Sequence, residues 1–326
     1  MKAIILAAGY GERLWPLTAD RTKPALPVLG KPLVGYVAEY LAGFGIKEVV
    51  VNQHHHPDSV RRALGDGSQF GVKLQYVHEP VILGTSGALD NARTLLDGDT
   101  FVVVNGKLIT DLDLNAALAE HRARKALATL VLRRNEKFER FSFVELNNGL
   151  VKRFAGMPSR DTWQANEPPL MFTGIHIIEP RIFDYIPRGV FSDSVIDVYP
   201  QAIARGEMIL GHVAEGMWYE LSTLQRYLDI SLALLSQTGR DVYAGSGSKI
   251  DLQADVRESI MWDDVTVEAG ARVSRSVLGD GVIVRSGESF EHSVIVRSQT
   301  VAEKKVPPKA LPGKVKGENF VVCLSQ

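Results

Sequence analysis

Two glycines and two cations near the N-terminus could together hold a polyphosphate. Gly9 and Gly11 flank Tyr10, Arg13 follows, and Lys23 stands ten residues further on. Glycine takes positive φ at little cost and lets backbone N–H groups come close to a ligand. Arginine offers a planar fork of donors for phosphate oxygens, and lysine a compact charge. Following a strand, such a set would make a cradle for a polyphosphate. A strand and glycine turn alone is common in α/β proteins. The chain has no G-x-x-x-x-G-K-[ST] loop, and Gly9-Tyr10-Gly11-Glu12-Arg13-Leu14 lacks the third glycine of a dinucleotide fingerprint.

The elements that must position these residues follow from apolar patterning. Ala3–Ala8 is uncharged and apolar, as a strand covered on both faces would be. Residues 33–46 suit a helix ended by Gly45, and Val49–Asn52 suits a second buried strand. Strand, helix and strand in that order predict a parallel sheet with a right-handed crossover. Further strands are expected at Val72–His78, Phe101–Val104, Ala128–Arg133, Leu170–Ile178 and Met208–Val213, with a hairpin around Asn147-Asn148-Gly149. Helices are expected at Pro57–Leu64, Ala88–Leu96, Asn115–Arg124, Ser194–Arg205 (capped by Ser192 or Asp193) and Thr223–Ser236. The fold class is therefore α/β, a Rossmann-like, mixed and mostly parallel sheet flanked by helices. In such sheets ligands sit beyond the carboxyl ends of the strands, here after Ala8, Asn52, His78 and Val104.

Composition changes after Gln237. A polar, glycine-rich linker spans 238–248. Beyond it Val265, Ala271, Val277, Ile283, Ser289 and Ile295 recur every six residues with glycine turns between them, the pattern of a β-helix. The expected division is 1–237 for the main domain, 249–300 for the coil and 301–326 for a tail. The coil cannot bury its apolar row well alone, so it is expected to pack on the main domain or another subunit. The Lys- and Pro-rich run 303–318 reads as solvated.

Bulk numbers bound the rest. The 326 residues are 45% hydrophobic and 23% charged, with a net charge of −1, so no global field favours nucleic acid or an anionic membrane. No apolar run reaches the ~20 residues of a membrane span, and the short stretch Ala3–Ala8 is not a signal peptide. One cysteine, Cys323, excludes an internal disulfide and fits a cytoplasmic setting. His54-His55-His56 lies at a strand end, where neighbouring side chains diverge, and is not read as a metal cluster. Trp163 either stacks on a sugar or packs.

The longer spacing G-x-G-x-R-L-x-P-L-T-x4-K-P, carried by Gly9, Gly11, Arg13, Leu14, Pro16, Leu17, Thr18, Lys23 and Pro24, resembles the signature of the sugar-1-phosphate nucleotidyltransferases. Leu83-Gly84-Thr85-Ser86-Gly87-Ala88-Leu89 resembles a second family segment, especially that of mannose-1-phosphate guanylyltransferases, and Phe172-Thr173-Gly174 a third. The resemblance implies joining of a nucleoside triphosphate to a sugar 1-phosphate with release of pyrophosphate, GTP and mannose 1-phosphate being the first choice. It implies Arg13 and Lys23 as catalytic residues. It implies nucleotide contacts from Leu6, Ala8, Gly9, Gly11, Glu79, Gly84, Thr85 and Gly87, and sugar contacts from Asn105, Thr173 and Gly174. It also implies a small left-handed β-helix, a homo-oligomer, and Mg²⁺ as cofactor.

Three positions depart from the family pattern. Asn105-Gly106-Lys107 stands where Asn-Gly-Asp is usual, so a cation replaces one magnesium ligand. The second ligand position holds Glu220, a longer carboxylate that could still bind metal. Gly156-Met157-Pro158 replaces a Glu-Lys-Pro whose lysine holds the sugar phosphate; Arg153 or Arg160 could compensate. An ammonium has no acceptor to offer Mg²⁺. Lys107 could stand in for the metal and pair with Glu220, or Asp111 or Asp113 could hold a displaced metal. Alternatively, the chain is a catalytically impaired homologue that binds nucleotide sugars and regulates a partner.

Overall fold

The computed structural model describes residues 1–157, 159–161 and 163–324. They fall into two compact units. One comprises Met1–Ala8, Val34–His54 and Leu64–Trp218; the other comprises Gly9–Leu33, His55–Ala63 and Tyr219–Gln326, of which Ser325 and Gln326, like Pro158, lie outside the described residues.

The first unit is built on a nine-stranded sheet. Its strands are β1 (Lys2–Leu6), β2 (Glu48–Gln53), β3 (Lys73–His78), β4 (Phe101–Asn105), β5 (Ala128–Arg134), β6 (Phe143–Asn147), β7 (Leu150–Ala155), β8 (Leu170–Ile178) and β9 (Ile209–Val213). The spatial order is β3-β2-β1-β4-β8-β5-β9-β7-β6. The first four are mutually parallel, β8 runs against β4 and β5, and β9 returns parallel to β5. The sheet is mixed, as expected, but not mostly parallel: among the described residues four of its strand pairings are parallel and five antiparallel, because β8 and the β6–β7 hairpin bring antiparallel neighbours.

The apolar runs explain it. Ala3, Ile4 and Ile5 in β1 and Phe101–Val104 in β4 are almost wholly buried, as apolar runs in the parallel part of a sheet are when both faces are covered. In β1, β2 and β4 polar residues stand only at the strand ends: Lys2 and Glu48 at the amino ends of β1 and β2, and Asn52 and Gln53 of β2 and Asn105 of β4 at the carboxyl ends. The hairpin between β6 and β7 turns through Asn148 (φ 50) and Gly149 (φ 77), the double positive φ of a two-residue loop. Several boundaries differ from expectation, and the helix expected over residues 33–46 ends at Gly43. The strand expected at Ala3–Ala8 ends at Leu6, and the helix expected at Ala88–Leu96 begins at Gly84 and breaks at Ala92.

The second unit holds the glycine-containing segment Gly9–Leu33, helix Leu224–Ser236 and a stack of short parallel strands. The strands form three ribbons, exemplified by Val242↔Ser259, Thr266↔Ile283 and Val273↔Phe290. Equivalent residues on successive rungs are seventeen apart, as in the bond from Ser276 N to Ser259 Oγ. The inward row is Met261, Val267, Val273, Leu278, Val284, Phe290 and Ile295. Every third interval is therefore five residues rather than six. A strict six-residue count from Val265 meets buried residues as far as Val277 but is one position out of phase after Ala271: Ile283 is only half-buried and Ser289 is exposed.

The apolar side of this unit is shared with Gly9–Leu33. Trp15 packs edge-on against Phe320 with centroids 5.1 Å apart. Arg21 lies over the Trp262 ring and reaches Asp280 at 2.6 Å. Tyr227 OH donates to Pro27 O and accepts from Trp262 Nε1.

Candidate functional site

In the second unit the segment after β1 folds into a tight turn. Gly11 takes φ 68 and opens the turn Glu12–Leu14. A Cβ on Gly11 would sit 3.0 Å from Lys23 Cβ and 3.2 Å from Thr18 Cγ2, so glycine is required both by φ and by the close passage of Lys23. Thr18 Oγ1 and Leu14 N donate to Gly11 O, closing the loop on itself. Gly9 differs. It has no positive φ, and nothing lies within 4 Å of where its Cβ would be. Packing does not demand glycine there, whereas close approach of a ligand would.

This loop lines a cavity of about 280 Å³ with Gly9, Tyr10, Gly11, Glu12, Arg13, Lys23, Ser222 and Lys309. Arg13 and Lys23, expected as the catalytic pair, thus share one cavity. Ser222 comes from the segment two residues beyond Glu220, itself 7% exposed. Neither Ser222 nor Lys309 was expected. Lys309 lies in the run read as merely solvated, and no local pattern marks it.

In the first unit the carboxyl ends of β1, β2 and β3 are tied by a buried polar chain. Asn52 Oδ1 accepts from Ala7 N at 2.6 Å, and Asn52 Nδ2 donates to Glu79 Oε1 at 2.6 Å. Glu79 Oε2 accepts from Leu83 N at 3.1 Å, and Glu79 O receives His54 Nδ1 at 2.8 Å. Glu79 is 1% exposed with both carboxylate oxygens engaged, so its side chain positions Asn52 and Leu83. Low exposure could not be read from sequence. The signal that was present is the polar pair Asn52-Gln53 closing an apolar strand.

Gly84–Gly87 were expected to offer a helix N-terminus to the nucleotide. In the structure Ser86 N and Gly87 N both donate to Ser192 O, and Ser192 N returns a bond to Leu83 O. Thr85 Oγ1 donates to Asp193 Oδ2 and accepts from Ser194 N. A Cβ on Gly84 would lie 2.5 Å from Ser192 O and one on Gly87 2.7 Å from Val190 O. These glycines let the helix start dock on the loop 189–194. Asp193 caps the following helical stretch through Val195 N and Ile196 N, as expected, though its first turn, Ser194–Val198, is a π-helix.

The expected sugar residues meet at β4 and β8. Gly174 (φ 82) sits at the bulge between Phe172 and Ile175, and a Cβ there would run into Asn105 Nδ2. Asn105 is half-buried against it. Thr173 is 1% exposed; its Oγ1 donates to Val131 O at 2.7 Å and its O accepts from Trp218 Nε1 at 3.0 Å. Its hydroxyl is thus engaged by a bond within the sheet. Leu6 and Ala8 lie at the end of β1, where Leu6 O accepts from Gly106 N at 2.9 Å. That bond fixes the Asn105-Gly106-Lys107 turn against β1.

The magnesium position can be tested on these donors. Asp111 Oδ1 accepts from Met217 N at 2.6 Å, and Asp113 Oδ1 accepts from Asn115 N at 2.9 Å, capping helix Leu114–Arg124. Lys107 offers no acceptor. Among the described residues no group of three or more His, Cys, Asp or Glu side chains could hold a metal, the 54–56 histidines included. The residues present do not fit the two-carboxylate magnesium site of the resemblance. Arg153 pairs with Glu145 at 2.6 Å and Arg160 donates to Glu136 O at 3.2 Å. Trp163 packs against Phe138 and Phe143.

Comparison with known proteins gives a consistent result. Residues 2–237 match the family described as nucleotidyl transferase. An N-acetylmuramate α-1-phosphate uridylyltransferase of Neisseria meningitidis is 36% identical over 69% of this chain and 95% of its own length. A mannose-1-phosphate guanylyltransferase of Mycobacterium tuberculosis is 29% identical over 84% of this chain and 83% of its own. A UTP–glucose-1-phosphate uridylyltransferase of Synechocystis is 29% identical over 82% and 72%. Among solved structures, a Bacillus anthracis chain assigned as a glucose-1-phosphate thymidylyltransferase, crystallised with sucrose, superposes with a TM-score of 0.62 at 26% identity, covering 72% of this chain and 94% of that one.

Proposed function

We propose, from the fact that the chain belongs to the nucleotidyl transferase family, that it joins GTP to mannose 1-phosphate and releases pyrophosphate. The broader type, an enzyme of the sugar-1-phosphate nucleotidyltransferase kind, rests on the family and its relatives. The observation that carries the phosphate chemistry is the cavity in which Arg13 and Lys23 face Gly9 and Gly11.

In this reading the sugar phosphate oxygen attacks the α-phosphorus and the bond to the β-phosphate oxygen breaks. Arg13 grips the departing pyrophosphate, and Lys23 stabilises charge on the α-phosphoryl group. The open space at Gly9 admits the nucleotide close to backbone. Asn105, held by Gly174, faces the sugar. Glu79 and Asn52 hold the loop ends that carry the nucleotide contacts. Relatives in the family generally depend on magnesium; here Lys107 brings a fixed positive charge to the turn where a carboxylate would recruit that ion.

Mannose 1-phosphate is favoured by the Leu83–Leu89 segment and by a guanylyltransferase relative matching over 84% of this chain, beyond the 237-residue core. UTP with N-acetylmuramate 1-phosphate is the second reading. It is favoured by the 36% identity of that relative and by the missing sugar-phosphate lysine near Gly156. The same proposal takes the C-terminal coil to wind left-handed after the 238–248 linker, to serve homo-oligomerisation, and the chain to work in the cytoplasm. No helix among the described residues is long and apolar enough to cross a membrane. Pyrophosphate release measured for each nucleotide with each sugar 1-phosphate tests the substrate pair: the highest kcat/KM for GTP with mannose 1-phosphate supports it, and a higher value for any other pair replaces it.

A further inference from the structure

The cavity around Gly9–Arg13 receives a third cation from an unexpected source. Lys309 lies in the C-terminal segment beyond the parallel coil, almost three hundred residues from Arg13, yet lines the same cavity as Arg13 and Lys23. Its Nζ is 3.9 Å from Glu12 Oε2, the one carboxylate lining that cavity among the described residues.

The segment that carries it is anchored rather than trailing. Upstream, Lys304 Nζ donates to Ala19 O at 2.6 Å, fixing the segment to the Gly9–Leu33 turn. Downstream, Asn319–Cys323 adds antiparallel to Ser293–Arg297 of the coil, and Phe320 packs on Trp15. Between the anchors, Pro307 and Pro308 restrict the backbone, and Ala310 N closes a turn on Pro307 O at 3.1 Å. The backbone of Lys309 is thus held beside the cavity while its side chain stays 72% exposed.

We infer that Lys309 is a third triphosphate-binding cation, supplied by the C-terminal segment to the β- and γ-phosphates that leave as pyrophosphate. The inference rests on reading this cavity as the triphosphate site. Three cations against Glu12 leave the lining with two net positive charges; without Lys309 only one remains. A nucleoside triphosphate carries up to four negative charges, and the carboxylate that would bring a divalent ion is replaced at Lys107. A long pair at 3.9 Å between exposed Lys309 and half-buried Glu12 contributes little stability, so exchanging it for a phosphate costs little. A charge-assisted bond to a phosphate oxygen in a partly enclosed cavity is worth considerably more.

The test uses the full chain with Lys309→Ala, Lys309→Glu and Lys309→Arg, and Arg13→Ala as reference. Equilibrium binding of inorganic pyrophosphate is measured by calorimetry, together with KM for the nucleotide and for the sugar 1-phosphate. Lys309→Ala is expected to weaken pyrophosphate binding and raise nucleotide KM about tenfold or more. Lys309→Glu should do so further, Lys309→Arg should restore most of the loss, and sugar 1-phosphate KM should stay within about twofold of the parent. If Lys309→Ala and Lys309→Glu both leave pyrophosphate affinity and nucleotide KM within about twofold while Arg13→Ala abolishes them, the role of Lys309 is overturned and the triphosphate site stands. If Arg13→Ala also changes neither, the triphosphate reading falls and the inference with it.

Discussion

Asn52 Nδ2 and Glu79 Oε1 meet at 2.6 Å behind the end of β1, and the same asparagine holds Ala7 N through its Oδ1. The ends of β2 and β3 and the segment leaving β1 are thereby fixed by one buried asparagine. Glu79→Ala would leave Asn52 Nδ2 and Leu83 N without their acceptors. Urea denaturation should show a loss of about 2–3 kcal/mol, with Glu79→Gln losing less because its carbonyl keeps one acceptor. A Glu79→Ala loss below about 0.5 kcal/mol, the size of an ordinary surface change, contradicts the positioning role.

Gly9 and Gly11 should separate cleanly by substitution. Gly9→Ala meets open space, so stability should hold within about 0.5 kcal/mol while nucleotide KM rises, because the added methyl occupies the ligand's approach. Gly11→Ala forces positive φ and crowds Lys23, so it should lose about 1–2 kcal/mol of stability as well as activity. Thermal melts paired with nucleotide saturation curves check both. Equal effects of the two changes would remove the distinction.

His176 gives the fold an acid limit. Burial pushes its imidazole down to about 3, and it shares a hydrogen bond with buried Tyr199. The unfolded chain takes up a proton near the ordinary value of about 6.5 while the folded chain does not. This contribution to stability is therefore present above about pH 6.5 and is lost as pH falls towards 3, at up to about 1.4 kcal/mol per pH unit. His176→Gln removes the titration. Its unfolding free energy between pH 4 and 6 should vary less steeply by one proton's worth; parallel slopes contradict the assignment.

Lys107→Asp restores the carboxylate usual at this turn. Magnesium titrations at fixed nucleotide and sugar phosphate should then saturate at several-fold lower concentration than for the parent. Direct Mn²⁺ binding should strengthen in the same direction. Identical metal curves for the two proteins would show that residue 107 does not govern metal recruitment.

Much of the first unit was legible because its strands are continuous apolar runs. Phe101–Val104 reads as buried and forms β4, extended only by Asn105. The Gly9–Lys23 spacing likewise pointed to one site, and both cations line one cavity. What escaped was set by distant partners. Nothing near Glu79 in sequence shows that Asn52 claims its carboxylate. Nothing near Ser86 shows that Ser192 O takes its N–H. Lys304 and Phe320 secure the loop at Ala19 and Trp15 across nearly the whole chain. The coil's period was nearly right, but a rung of seventeen residues omits one position per turn, which moved Ser289 outward and Phe290 inward.

The most direct measurement is sugar-1-phosphate-dependent pyrophosphate release by the purified protein, run beside Arg13→Ala and Lys23→Ala. The predicted result is steady release with at least one nucleotide–sugar phosphate pair, reduced about a hundredfold or more in either variant, as for loss of a preorganised charge contact at a transferring group. Absence of release with every pair, alongside measurable binding of a nucleotide sugar, would contradict catalysis and leave a binding protein.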